Sequence, residues 1–331
     1  VLLFFDCFAT SSQNNPNNFE KVIIEIEGEE VFDVYEITQD LQGYMWMDTN
    51  LGLIRYDGLE AKKYDHTRKN SSSSANDYIE CLYVDHLGDL WIGTHSGLTK
   101  YNPDCDCFYQ YPPVIDNINL TEIRSITEDK NNRLWIGTQN GELFGYKRES
   151  DTFTEMLHNL SDSLSITFSG IYHLLVDQFN NLWIGTSSGL VRFNISTGKI
   201  KQFSHDPANP NSLLDNRISA LYEDQQGQIL IGTSKCGFHI YNPENESLTR
   251  KSFDANNPDQ IHAPYSEDKV FGNDPYVRIV HQDQNGGYWI GTTGKGVNHF
   301  NTSTGTFNNY HFNLMNPQLL WSICEDRQGN L

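Results

Sequence analysis

The chain has 331 residues, of which 37% are hydrophobic and 12% aromatic, so it is long enough to fold around one large core or two smaller ones. Its formal net charge of −20 argues against nucleic acid as a partner, because a phosphate backbone needs a basic face. The sequence has no apolar run long enough for a transmembrane helix, so we expect no membrane contact from this region.

Residues 1–18 differ from the rest of the chain in composition. The stretch "VLLFFDCFATSSQ" is first apolar, then small, then polar, and "NNPNN" follows it. This order resembles the end of a secretory signal peptide followed by a flexible mature N-terminus. A buried first strand is the alternative. We predict that the folded domain covers residues 19–331.

A repeat organises that domain. Seven Asp residues are separated by 45, 44, 48, 47, 59 and 43 positions, and each is followed three residues later by Gly or Asn. Gly and Asn enter the left-handed backbone region most easily, which indicates a tight turn. Six residues after each of the first six Asp residues stands a Trp, replaced once by Leu230, in short segments such as "DLWIGT". The Asp residues are Asp40, Asp85, Asp129, Asp177, Asp224, Asp283 and Asp326.

Each repeat divides into four short segments rich in β-branched and aromatic residues, which we name strands A to D. Four strands at a period near 45 residues are typical of a β-propeller blade. We therefore predict an all-β, seven-bladed propeller whose seventh blade is truncated, because the next Trp of the series would be residue 332. The predicted closing strand is "VIIEIE", 22–27. The predicted blades lie near 31–64, 78–111, 123–157, 171–204, 218–253 and 277–312, with a partial blade at 320–331.

The words "EDKNNRLWIGTQNG", "DQFNNLWIGTSSGLVRFN" and "FSHDPANPNSLLDNRISALYEDQQGQILIGT" resemble the two-component regulator propeller family. This resemblance implies the periplasmic sensor region of a bacterial hybrid two-component sensor histidine kinase, which would be anchored in the inner membrane and dimeric at full length. The kinase His, the ATP site and the phospho-acceptor Asp of such systems are absent from these residues. The chain departs from the family pattern at Asp48, which replaces Gly, and at Leu230.

Other short motifs do not predict chemistry. "GTSSG", 185–189, fits a nucleophile pattern, but "GTHSG" and "GTQNG" occupy the same place in neighbouring repeats. The His residues are scattered and the turns lack calcium-ligand spacing, so we predict no catalytic residue, no metal and no cofactor. The cysteines show no disulfide or zinc pattern, and we interpret "CDC", 105–107, as loop composition.

When the repeats are aligned, the residues at one position, which we call the variable column, differ in chemistry from blade to blade. It is the second residue of strand A, at the predicted mouth of a central channel. Aromatic, Arg and carboxylate side chains around a ring suit a sugar or another small polar molecule. A solvated channel lining without a ligand is the alternative. The candidate ligand-binding residues of this column are Tyr35, Glu80, Arg124, Tyr172, Arg278 and Trp321.

A long insertion, 254–276, precedes the sixth blade and could cap the same mouth through Tyr265 and His262, with disorder as the alternative. The leading hypothesis is a sensing propeller that binds an oligosaccharide or similar polar nutrient. The alternatives are a structural or dimerisation propeller whose ligand binds elsewhere, and, with less support, a propeller lyase or hydrolase.

Overall fold

The computed structural model describes residues 7–10, 19–22, 24–31, 33–64, 78–115, 118–156, 170–234, 237–252, 277–292, 297–310 and 322–326. These residues are almost entirely β-structure, with one short 3-10 turn at Arg148–Ser150. Within the ranges just given, no helix has the length and apolarity needed to span a membrane. The predicted all-β class is confirmed.

Six four-stranded antiparallel sheets account for most of the described strands, and in each sheet strands A, B, C and D are neighbours in chain order. The A strands are Val34–Gln39, Ile79–Val84, Ile123–Glu128, Ile171–Val176, Ile218–Glu223 and Val277–Gln282. The B strands are Met45–Thr49, Leu90–Thr94, Leu134–Thr138, Asn181–Thr186, Ile229–Thr233 and Tyr288–Thr292. These sheets are the blades of a β-propeller, numbered here 1 to 6.

The outer two strands of each blade are joined by a second tight turn. The C strands are Gly52–Tyr56, Gly97–Asn102, Leu143–Lys147, Leu190–Asn194, Gly237–Asn242 and Val297–Asn301. The D strands are Ala61–Tyr64, Cys107–Gln110, Thr152–Glu155, Ile200–Phe203, Ser247–Ser252 and Thr306–Tyr310. Three small two-stranded ladders lie outside the blades and pair Cys7–Thr10 with Phe19–Val22, Glu25–Ile26 with Glu29–Glu30, and Val114–Ile115 with Ile118–Asn119.

The chain divides into two compact units. One holds residues 23–187 and 192–199, and the other holds the remaining residues, so the boundary falls within blade 4. Inside each unit the core lies between consecutive blades, because a four-stranded blade has two apolar faces to cover. Trp46 of blade 1 is buried against Ile79 and Leu82 of blade 2. Leu230 of blade 5 is buried against Val277 of blade 6.

A buried Asp–Trp pair is the recurrent contact of the blades. The Asp at the end of strand A accepts a hydrogen bond from the indole Nε1 of the Trp on strand B in blades 1, 2, 3, 4 and 6, at 2.5–2.9 Å. Its other oxygen accepts from backbone N–H groups of the A–B turn, such as those of Gln42 and Tyr44 at Asp40. One side chain therefore closes the turn and orients the largest core residue.

The turn itself has the backbone conformation that the Gly/Asn column predicts. The third residue after the Asp has a positive φ in all six blades. Gly at this position adopts the left-handed region without steric cost, and Asn does so at a small one. The residues are Gly43 (95°), Gly88 (88°), Asn132 (61°), Asn180 (59°), Gly227 (75°) and Gly286 (80°).

Blade 5 lacks the Trp, and a neighbour replaces its hydrogen bond. Leu230 has no donor to offer, so the Oδ2 atom of Asp224 accepts instead from the hydroxyl of Tyr288, 2.7 Å away on strand B of blade 6. A buried carboxylate oxygen without a donor would be costly. The substitution of Leu for Trp is therefore compensated from the adjacent blade.

Two sequence interpretations differ from the structure. "VIIEIE" does not form one closing strand, because Glu25–Ile26 pairs locally with Glu29–Glu30. Cys105 and Cys107 are joined by a disulfide, whereas we expected loop composition only. The left-handed backbone of Asp106 (φ 51°) between them turns the chain so that the two Cα atoms lie 5.2 Å apart, within bonding range.

The seventh blade and the leader remain predictions. Six blades are present among the described residues, and 322–326, the described part of the predicted partial blade, contains no strand. Residues 7–10 form a strand, paired with Phe19–Val22, inside the segment interpreted as a signal-peptide remnant.

The compensation in blade 5 can be tested by removing the hydroxyl. We expect Tyr288→Phe to lower the free energy of unfolding by about 1–3 kcal/mol, because it leaves a buried carboxylate oxygen unsatisfied. Adding Leu230→Trp should recover part of this loss by restoring the donor that other blades use. Urea unfolding of the two variants and the wild type measures both effects. Equal stability of Tyr288→Phe and wild type would contradict this account.

Candidate functional site

Every A strand contains one residue that its pairing with strand B skips. In blade 3, Ile123 lies opposite Thr138 and Ser125 lies opposite Gly137, so Arg124 is left outside the ladder. A β-bulge of this kind bends the strand and re-aims a side chain, and bulges are enriched beside binding sites. The variable column of the sequence is thus a column of bulges. Its described members are Tyr35, Glu80, Arg124, Tyr172, Ser219 and Arg278.

The residue before each bulge anchors the strand. In blades 2 to 6 this residue is a buried Ile or Val, exposed by at most 8%, whereas Val34 of blade 1 is half-buried. A fixed apolar anchor followed by a bulge holds the next side chain at a constant place while its chemistry changes between blades. Such an arrangement suits recognition, since it separates the scaffold from the contacting groups.

Blades 1 to 3, within one compact unit, bring the first three bulge residues into a charged surface. Glu80 and Arg124 form an ion pair, with 23% and 31% of their side chains exposed. Next to them, His95 Nε2 of the B–C turn in blade 2 lies 3.0 Å from Glu122 Oε1. Both pairs remain open to solvent, so a ligand could reach them.

Aromatic rings border this surface. The side chain of Tyr35 is 38% exposed and that of Tyr78, directly before strand A of blade 2, is 72% exposed. The Tyr35 hydroxyl donates a hydrogen bond to Asp33 Oδ2 at 3.3 Å. Exposed tyrosines offer an apolar face and a polar edge, the combination that stacks on sugar rings.

Two carboxyl residues face each other in blade 1. Glu36 of strand A lies directly opposite Asp48 of strand B. In blades 2 to 6 the residue at the Asp48 position is Gly, and in blades 2, 3 and 5 a Cβ atom there would approach the next blade too closely. A Cβ on Gly93 would lie 2.6 Å from Ile123 Cγ2, for example. Asp48 therefore places a carboxyl group, 8% exposed, where the repeat otherwise has none.

The surroundings shift the acidity of this pair. Burial raises the pKa of Glu36 to about 8, and the charge of Asp48 adds to the effect. Burial likewise raises the pKa of Asp48 to about 7, opposed by a backbone hydrogen bond from Thr49 and assisted by Glu80. Burial also raises the pKa of Asp33 and, outweighing the attraction of Arg124, that of Glu80. Blade 1 thus carries protonatable groups in the neutral pH range.

The structure places the predicted site residues unevenly. Tyr35, Glu80, Arg124 and Tyr172 all lie at bulges within the unit that holds blades 1 to 3, and Arg278 lies at the bulge of blade 6 in the other unit. Trp321, Tyr265 and His262 lie outside the described residues.

Sequence reasoning missed several residues of the surface. Glu36, Asp33, Tyr78 and Glu122 were not selected, because they precede or follow the variable column. Asp48 was noted only as a departure from Gly. The signal that could have found the pair is that Asp48 replaces Gly opposite a second acidic residue, Glu36, although like charges are normally avoided on facing strands.

Three segments match the model of the two-component regulator propeller family, at residues 73–96, 117–140 and 212–235. Each match includes the Asp turn and the B strand of blade 2, 3 or 5. The family resemblance predicted from the repeat words is confirmed at these segments.

The chain spans less than half the length of several proteins that it matches. "Histidine kinase P4" of Formosa agariphila is 27% identical over 249 residues, which cover 70% of this chain and 17% of that protein. Two extracellular domains of B. thetaiotaomicron, from proteins described as the hybrid two-component systems BT4673 and BT3049, share the fold. Their TM-scores are 0.71 and 0.70, with 21% and 22% identity over 93% and 88% of this chain. This chain covers 37% of each.

The carboxyl pair predicts a pH dependence of stability. A carboxyl whose pKa is raised in the folded state binds its proton more tightly there, so stability is lost as the pH rises from the unfolded value, near 4.3, towards the folded one. We expect the free energy of unfolding to fall between about pH 4.5 and pH 8.

Glu36→Gln should remove part of this slope, because its amide stays neutral. Urea unfolding at pH 5 and pH 8 measures it, with the exposed Glu60→Gln of the same blade as the charge-matched control. The assignment is wrong if Glu36→Gln keeps the slope of the wild type.

Proposed function

We propose that this chain, whose repeats match the two-component regulator propeller model, is the ligand-sensing propeller of a hybrid two-component sensor. In this proposal it lies outside the cytoplasmic membrane, in the periplasm, and detects an oligosaccharide or another polar nutrient. The signal then passes to a histidine kinase through a dimeric, inner-membrane-anchored protein. The role of the residues described here is binding.

The observation that carries the proposal is the column of bulges. The bulge position carries Tyr, Glu, Arg or Ser in the six blades on one fixed backbone, and in blades 1 to 3 these residues combine a tyrosine face with an accessible ion pair. Oligosaccharides are bound by stacking faces together with hydrogen-bond donors and acceptors. The solved extracellular domains with the same fold support a location outside the cytoplasm.

The charges of this surface favour an uncharged ligand. Arg124 is paired with Glu80, and His95 is paired with Glu122, so each of these two basic groups already has an acidic neighbour. Asp33 adds a further acidic group, and Glu36 and Asp48 add negative charge as the pH rises past their raised pKa values of about 8 and about 7. An acidic sugar would therefore meet like charge, whereas a neutral sugar would meet donors and acceptors only.

The test is a thermal-shift comparison of neutral tetrasaccharides with acidic ones of equal length, such as maltotetraose beside tetragalacturonate. A ligand at a hundred times its Kd adds roughly 2.7 kcal/mol of stability, which raises the Tm measurably. We expect a shift with a neutral sugar only, and its loss in Arg124→Ala and Tyr172→Ala.

The control is Arg133→Ala, which removes an Arg at the opposite end of blade 3 and should keep the shift. A shift with the acidic sugar alone would overturn the preference for neutral ligands. The absence of any shift would argue against sensing by this propeller.

A specific observation favours a second candidate, a propeller that serves dimerisation. Three large apolar side chains on the A–B turns of blades 1, 2 and 4 are exposed, at the far end of the A strands from the bulges. They are Leu41 (46%), Leu87 (60%) and Phe179 (54%). Exposed apolar side chains on one edge are typical of interaction surfaces.

In that case the chain should form dimers at rising concentration, and Leu87→Ser should weaken them severalfold without changing Tm, because the side chain is exposed. Sedimentation equilibrium measures this, with Leu59→Ser, on the C–D turn of blade 1, as an exposed control. A monomer at all concentrations would count against this candidate.

A further inference from the structure

The C–D turn of blade 2 ties that blade to blade 1 through a single carboxylate. Asp106 accepts hydrogen bonds from the hydroxyls of Tyr101 in its own blade, at 2.6 Å, and Tyr64 in blade 1, at 2.7 Å. Arg55 and Lys62 of blade 1 also form ion pairs with it. Three of the four contacting side chains thus belong to the neighbouring blade.

These contacts also set the charge state of the turn. Burial alone would raise the pKa of Asp106, but the hydrogen bonds from Lys62, Tyr101 and Tyr64 outweigh burial and hold the pKa well below its usual range. Asp106 therefore stays ionised in the folded protein, and the contact between blades 1 and 2 has the strength of charge-assisted hydrogen bonds. We call these five side chains the first seam.

Blades 2 and 3 carry a second seam of the same design. Asp151, at the equivalent turn position with the same φ of 51°, accepts from Tyr146 of its own blade at 2.9 Å and from Tyr111 of the preceding blade at 3.5 Å. Its neighbours in the chain are Ser150 and Thr152. The Tyr–Asp–Tyr arrangement therefore forms without cysteines, and the second seam is an internal control for the first.

Only the first seam is bracketed by a disulfide. Cys105 and Cys107 are bonded directly across Asp106, so a small covalent ring constrains the left-handed backbone of that residue, which Asp151 adopts without such a ring. Cys105 is exposed and Cys107 half-buried. Because disulfide exchange requires access to a sulfur atom, this bond is open to a soluble thiol.

We propose that the Cys105–Cys107 bond is a thiol–disulfide exchange site that controls how tightly blades 1 and 2 are held together. A dithiol reagent attacks Cys105 Sγ as a thiolate, the protein S–S bond breaks, and Cys107 leaves as a thiolate that takes up a proton. The second thiol of the reagent then attacks the mixed disulfide and releases the Cys105 thiol. Two electrons pass to the protein, and the reagent ends as its own disulfide.

Reduction changes the seam through the backbone. Without the bond, the first seam depends on non-covalent contacts alone, as the second seam does, in which the distance from Asp to the Tyr of the preceding blade is 3.5 Å rather than 2.7 Å. The Asp106 carboxylate then holds Tyr64, Lys62 and Arg55 less tightly. This inference is independent of the proposed ligand, because the turn lies at the outer edge of the blade, away from the bulge column on strand A.

The test is hydrogen–deuterium exchange of the full chain with and without dithiothreitol, combined with differential alkylation to map the two cysteines. We expect reduction to expose both thiols and to accelerate exchange severalfold in Ala61–Tyr64 and Cys107–Gln110. Exchange in Leu143–Lys147 and Thr152–Glu155, around the second seam, should not change. Cys105→Ser/Cys107→Ser should exchange like the reduced wild type and should not respond to dithiothreitol.

Two results would overturn the proposal. One is alkylation of both cysteines in the protein kept under oxidising conditions, since the bond would then not form. The other is unchanged exchange at the first seam after reduction. Asp106→Asn keeps the disulfide but weakens the hydrogen-bond acceptor. It should loosen the first seam both with and without dithiothreitol, and it therefore distinguishes the contribution of the carboxylate from that of the disulfide.

Discussion

Each blade depends on one buried carboxylate that must be fully hydrogen-bonded. The Asp at the end of strand A is at most 9% exposed in all six blades, and an ionised group at that depth is tolerated only with several donors. The A–B turn supplies backbone N–H groups, and strand B supplies the indole in every blade except blade 5, where Tyr288 of blade 6 supplies a hydroxyl. The need to satisfy this group sets the left-handed turn residue, the distance of six residues to the Trp, and hence the packing of the Trp against the next blade.

Because that constraint lies at one end of strand A, the other end is free to vary. The bulge residues there are Tyr, Glu, Arg, Tyr, Ser and Arg in chain order, on the same backbone. Blade 1 departs furthest, since it places Asp48 where close packing elsewhere requires Gly, and pairs it with Glu36. Raising the pKa of these two carboxyl groups has no evident benefit for packing. The departure in blade 1 therefore supports the proposal that this blade contributes to ligand binding.

Much of this could be predicted from the sequence, for a physical reason. The Asp, the Gly or Asn and the Trp lie within seven residues and interact locally, so their spacing alone indicates the turn and the blade. The variable column was also visible, but its bulge was not, since register depends on two strands at once. The Glu36–Asp48 pair was missed for the same reason. The Cys105–Cys107 bond was missed because it depends on the backbone conformation of the single residue between the cysteines.

The bond from Tyr288 to Asp224 also bears on how such a protein can change by gain or loss of repeats. Blades 1, 2, 3, 4 and 6 each contain both partners of their Asp–Trp hydrogen bond, so each would keep this hydrogen bond if the repeat were copied or moved. Blade 5 is different, because its carboxylate is satisfied by the following blade. Duplication or deletion at the junction of blades 5 and 6 would strand a buried charge. Blades 5 and 6 would therefore have to be copied or lost together to keep this carboxylate hydrogen-bonded.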